Sequence, residues 1–200
     1  MEQIKETINK MISQTSLVFD RLPDIDLYMD QVIEYLSRQS LSPRDNDKIS
    51  SAMINNYIKD GLLPRANDKK YGRDHLAYLI MISRLKQSLS VKDTGVLLKT
   101  ETEGKNIDEY FNEFQKLLAD TASSLGEALP EKEEALSRLA LRLAVEGYVN
   151  SIVCEMILSK LSEGMDEDPA SSDDSDEENA EKKDKNESKK DKSSSKKEKK

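Results

Sequence analysis

An all-α fold is what this sequence predicts, and three observations predict it. Apolar residues recur three and four positions apart along most of the chain, which is helical periodicity. Breakers are few, with seven Gly and five Pro among 200 residues. Beyond Gly164 nothing apolar larger than Ala occurs except Met165. Residues 1–163 must therefore build the core, a length well above the ~40–60 residues that an independent domain needs.

The elements follow in order. Ile4, Ile8, Met11 and Ile12 predict an N-terminal helix within residues 1–19. After Pro23, the set Ile25, Tyr28, Met29, Val32, Ile33 and Leu36 predicts a helix over about 24–39, capped by Asp24 or Asp26. A polar connector over 40–48, containing Pro43, ends it. Ser50 is an N-cap, Ile49 and Ile54 stand at the two positions of a hydrophobic staple, and Gly61 stands where a left-handed C-cap is wanted. These signals bound a helix over about 51–60. Two short flanks around a polar Asn67-Asp68 tip predict a small hairpin.

Leu76, Leu79, Ile80 and Leu85 predict a helix over about 73–88. Its Leu79-Ile80-Met81-Ile82 run resembles a strand, but the longer period decides for helix. Another short helix follows over 91–99. Ile107, Tyr110, Phe111, Phe114, Leu117, Leu118, Ala122 and Leu125 form the cleanest amphipathic stripe in the chain. Pro130 is placed as the first residue of a last helix that reaches about residue 162. That helix starts a stripe at Leu136, Leu139, Ala140 and Leu143, falters at Gly147 and Asn150, and is then apolar almost all round. Such a pattern favours packing into a domain or dimer interface over a free coiled coil. From Asp166 onward acids and then lysines dominate, a composition unable to offset chain entropy, so residues 164–200 are expected to be a disordered charged tail.

Composition excludes several functions. One Cys (Cys154) and one His (His75) cannot make a Cys/His zinc site or an internal disulfide. No apolar run approaches the ~18–20 residues that cross a bilayer, and the opening Met-Glu-Gln-Ile-Lys-Glu lacks the pattern of a signal peptide. A cytoplasmic protein without membrane contact is expected. Gly61, Gly72 and Gly95 are too scattered for a phosphate loop, His75 at a helix start reads as structural, and Cys154 has an acidic neighbour. Neither catalysis nor a metal or other cofactor is expected.

Charge gives the positive clue. The formal net charge is -8, yet residues 44–99 carry 11 bases against 6 acids. Local positive charge in an acidic protein suits a phosphate surface. On the helix over 51–60, Met53, Ile54, Tyr57 and Ile58 should face inward, leaving Ala52, Asn55, Asn56 and Lys59 outside. Asn pairs two-pronged with adenine in the major groove, and Lys serves phosphate or guanine. Arg65, Lys69, Lys70 and Arg73 decorate the hairpin, where they would hold the DNA backbone.

The segment Met53-Ile54-Asn55-Asn56-Tyr57-Ile58-Lys59-Asp60-Gly61-Leu62-Leu63-Pro64, followed by Tyr71 and a helix, resembles the winged helix-turn-helix of MerR-type regulators. Ile54, Tyr57, Gly61 and Leu62 match that pattern, whereas Asn55, Asn56 and Ile58 stand at its Arg, Tyr and Glu. Leu89-Ser90-Val91-Lys92-Asp93 is similar to its turn into a fourth helix. The block over about 20–100, with Leu22 to Gln31 before it, is still more similar to an uncharacterised bacterial group, the MerR-like domain of unknown function 1836. The resemblance implies a winged helix module over 20–100, a recognition helix over 50–60 and double-stranded DNA as partner. The helical part over 105–163 is expected to supply a homodimer, because two-fold operators need paired readers. An effector site among Tyr110, Phe111, Phe114 and Tyr148 is a lesser expectation than a core role for those aromatics. The alternative is a non-catalytic protein-interaction module that keeps the fold without DNA.

Overall fold

A computed structural model describes residues 2–39 and 49–166, and within them the fold is predominantly helical. The helices are α1 (Glu2–Thr15), α2 (Met29–Arg38), α3 (Ser51–Lys59), α4 (Arg73–Leu85), α5 (Val91–Thr102), α6 (Ile107–Glu127) and α7 (Glu133–Asp166). The strands β1 (Leu27–Tyr28) and β2 (Lys70–Tyr71) form one antiparallel pair, Leu27 opposite Tyr71 and Tyr28 opposite Lys70. The connector over 40–48 and the charged tail from residue 167 onward lie outside the described residues. Residues 164–166, expected in that tail, are the end of α7.

Helix α4 is the centre of the core. Leu76, Ala77, Leu79, Ile80, Met81 and Ile82 are all at most 1% exposed, so this helix is covered all round, as its continuous apolar run requires. Val32 and Leu36 of α2, Ile54 and Tyr57 of α3, and Tyr110 and Phe111 of α6 join the same cluster. Helix α6 thus shares the core of the preceding module. It lies against α1 and α4, and the described residues up to Ser162 form one compact unit.

Polar ties fix α6 where apolar packing alone would let it slide. Gln115 is 1% exposed; its Nε2 donates to the Leu17 carbonyl at 2.9 Å, and its Oε1 accepts from the Arg84 guanidinium. Asn112 Oδ1 accepts from the Phe19 N–H at 2.8 Å. Burial pulls the Arg84 guanidinium down to about 10. Among the described residues no helix is long and apolar enough to cross a membrane.

Three elements depart from expectation. Helix α2 begins at Met29 because Leu27 and Tyr28 are drawn into the pairing with β2, and Ile25 is left 66% exposed. The Tyr28 N–H is satisfied by Gln31 Oε1 at 2.9 Å, in place of an Asp cap. Helix α7 begins at Glu133, with Pro130 in the connector before it, and the Ala135 N–H donates to the Lys132 carbonyl at 3.1 Å. In α6, Leu117 is 67% exposed although it continues the apolar stripe.

Alkaline titration offers a check on this packing. Burial, and then the charges of Glu101 and Glu113, push the Tyr110 phenol up to about 12, and burial also raises Tyr35, Tyr57 and Tyr71. Between pH 10 and 12 the unfolded chain has lost these protons while the folded chain keeps that of Tyr110. Stability must therefore fall as pH rises through this window. Melting temperatures measured from pH 9 to 12 should show that fall, and Tyr110→Phe should flatten it. An equal slope in the variant would contradict the burial of this side chain.

Candidate nucleic-acid interface

Helix α3 is bounded as its sequence requires. The Met53 N–H donates to Ser50 Oγ at 3.3 Å, and Ile49 and Ile54 are buried as the staple pair. At the other end Gly61 adopts φ +73°, the Leu62 N–H reaches the Tyr57 carbonyl at 2.8 Å and the Gly61 N–H reaches that of Ile58 at 3.2 Å. These paired bonds stop the helix after two and a half turns and hand the chain to the hairpin. Ile54 (0% exposed) and Tyr57 (3%) anchor the inner face, while Ala52, Asn55, Asn56 and Lys59 are exposed.

The hairpin closes between Asn67 and Lys70, which exchange backbone hydrogen bonds of 3.1 and 2.8 Å. Its two central residues, Asp68 and Lys69, have φ of +48° and +64°. These are the signs of the mirror-image turn that matches strand twist, in which Gly is the usual second residue. Lys69 holds a left-handed backbone that costs a side-chain-bearing residue about 1 kcal/mol. The turn's base is fastened by β1 on one side and by His75 on the other. His75 Nδ1 accepts from the Gly72 N–H at 3.2 Å, so Nε2 carries the proton and donates to the Arg65 carbonyl at 3.2 Å. The ring also stands edge-on to Tyr71, 5.5 Å between centroids. His75 is thus the bracket between α4 and the hairpin, a role that the Gly-to-His spacing of three at a helix start foreshadows.

The seven residues singled out for DNA fall into two groups. Asn55, Asn56, Lys59, Arg65 and Lys69 are exposed, and among the described residues none of the three cations forms an ion pair. Lys70 and Arg73 are half-buried and already engaged. The Lys70 ammonium lies 5.6 Å from the centroid of Tyr28, its cross-strand neighbour. The Arg73 guanidinium lies 5.6 Å from the centroid of Phe19 and 3.8 Å from Asp20. Tyr28 itself is 52% exposed beside Lys70, a juxtaposition that local sequence signals do not reveal because the pairing spans more than forty residues.

Tyr110 and Phe111 belong to the core, Phe114 packs against it and Tyr148 is 69% exposed, so these four do not gather around a cavity. An apolar cleft of about 520 Å³ lies elsewhere, between Ile4, Met11, Leu125, Leu136 and Leu143 of α1, α6 and α7.

Residues 17–117 match the family described as a domain of unknown function, DUF1836. No curated protein and no solved structure matches the chain.

Proposed function

We propose that this chain, which belongs to the DUF1836 family, is a non-catalytic, cytoplasmic DNA-binding transcriptional regulator of MerR-like type. In this reading α3 enters the major groove, where Asn55 and Asn56 read base edges and Lys59 meets phosphate or guanine. The hairpin acts as a wing, with Arg65 and Lys69 on the backbone. Lys70 and Arg73 contribute charge from their seats over Tyr28 and Phe19. A homodimer presents two such readers to a two-fold site.

The observation that carries the reading is the tip of the hairpin. A lysine occupies a backbone position where glycine is cheaper, projects from a base fastened by β1 and His75, and has no acidic partner among the described residues. Backbone strain clusters where surfaces make functional contacts, and here it is kept at an exposed charge, which supports the reading. The exposed amides of α3, a helix held by a cap at each end, supply the groups that such a contact needs for sequence choice.

Selection of duplexes from a random pool tests this. The wild-type protein should enrich one motif, and Asn55→Ala should lower its preference for that motif over random duplex by roughly 5- to 100-fold. Nonspecific affinity should be unchanged. No enrichment by the wild type, together with recovery of one protein partner that survives nuclease treatment, would replace this reading by the interaction module.

A further inference from the structure

Helices α1 and α6 run antiparallel and in close contact: Gln115 holds the Leu17 carbonyl, and a Cβ added to Gly126 would stand 3.3 Å from Ile8 Cγ2. Helix α7 packs less closely on both. Between the three lies the apolar cleft of about 520 Å³, with Ile8 the most buried residue of its walls at 6% exposed. Leu136 and Leu139 are left half-buried, and Ile4 and Leu143 are 41% and 38% exposed. Protein interiors are otherwise close-packed, so a gap of this size between leucines leaves apolar surface without contact atoms. Its walls lie outside residues 17–117.

Size and chemistry select the occupant. The cleft extends along Gln3 to Met11 of α1 and Leu136 to Leu143 of α7, about two turns and ~12 Å of helix. Its volume falls within the ~300–1,000 Å³ of small-molecule sites, which are mostly apolar with a few polar groups. Among the described residues eleven wall it, short of the ~20–30 that each side brings to a protein–protein interface. None of the eleven is charged, so an ion seated here would lose its hydration without gaining a partner. Water is poorly served too, since Gln3 and Thr7 are the polar members and the Thr7 hydroxyl already donates to the Gln3 carbonyl at 2.8 Å. The Gln3 side-chain amide and the acceptor side of the Thr7 hydroxyl, one turn apart on α1, suit a single hydroxyl or carbonyl.

From this volume and this uncharged lining we infer that the cleft binds one uncharged aliphatic molecule with a single polar end, its chain lying between α1 and α7 and its hydroxyl or carbonyl at Gln3 and Thr7. Extended chain of about ten carbons spans the ~12 Å available. The driving force is apolar area removed from water, about fourfold in affinity for each methylene seated. A bound chain also completes the packing of α7 on α1 and α6. The inference goes beyond the nucleic-acid reading and does not rest on it, because neither α3 nor the hairpin contributes to these walls.

Calorimetric titration of the full chain with straight-chain primary alcohols, from hexanol to dodecanol and without DNA, tests it. One alcohol should bind per chain, with affinity rising about fourfold per methylene and levelling near ten carbons. Decanoate should bind at least about tenfold more weakly than decanol, because its charge finds no partner. Ala140→Phe fills the cleft and should abolish binding with α-helical circular dichroism retained, whereas Leu117→Ala, on the 67% exposed side of α6, should leave binding unchanged. Decanol should also shift the methyl resonance of Met11 in the wild type. No saturable binding overturns the inference, as does an Ala140→Phe variant that binds like the wild type or a Met11 signal that ignores decanol. Decanoate binding as tightly as decanol overturns the uncharged class. Self-association that Ala140→Phe abolishes, with no alcohol bound by the wild type, gives the cleft to a second copy instead.

Discussion

Replacing Lys69 and Lys70 together by alanine should weaken binding to every duplex alike, by roughly ten- to thirty-fold at physiological salt for each protomer bound, and should lower the salt slope by about 2 per protomer. The magnitude follows from counterion release: each phosphate neutralised contributes about 0.9 to the slope of log affinity against log salt. Four cations per protomer, Lys59, Arg65, Lys69 and Lys70, predict that affinity falls on the order of 100-fold between 50 and 200 mM salt for each protomer bound. Lys69→Gly separates binding from folding. It removes one phosphate contact and also releases the left-handed strain at φ +64°, so it should raise stability by up to about 1 kcal/mol while weakening DNA. A destabilised Lys69→Gly variant would show that the turn geometry is wrong. Affinity that ignores both salt and these substitutions would remove DNA as the partner.

Why part of this surface was legible in sequence, and part was not, has a physical explanation. Helix α3 was readable because its signals are local: Ser50, Ile49 with Ile54, and Gly61 act within a turn of the helix they bound. The hairpin tip was readable for the same reason. Strand β1 was not, because two residues become a strand only when Tyr71 and Lys70 arrive from far along the chain. That pairing in turn moved the start of α2 from 24 to 29. The engagement of Arg73 with Phe19 was likewise invisible, since it depends on where the segment after α1 is laid down. Periodicity found α6 and α7 but could not say which apolar face finds a partner within the chain. Phe111 at 0% exposure and Leu117 at 67% belong to one stripe.

Phe111→Ala should destabilise the protein by about 3–5 kcal/mol, the range for emptying a fully buried aromatic site, and lower the melting temperature by on the order of 10 °C. The ring has no exposed surface and meets Phe19 edge-to-face, 6.3 Å between centroids. Phe19 in turn carries the Arg73 guanidinium at the first residue of α4. Truncation therefore opens a cavity under α6 and loosens the seat of the helix from which His75 holds the hairpin. The polar ties of Gln115 and Asn112 lie on α6 one turn further and next to Phe111, so they hold the backbone in place and keep the site from collapsing to fill the void. That resistance puts the cost toward the upper part of the range. If α6 were a separate appendage, the same substitution would unfold α6 alone and leave the melting of the remaining core unchanged. A single cooperative transition at the lower temperature, with the salt slope for DNA unaltered below it, is the result expected when Tyr110 and Phe111 share one core with Leu76 and Leu79.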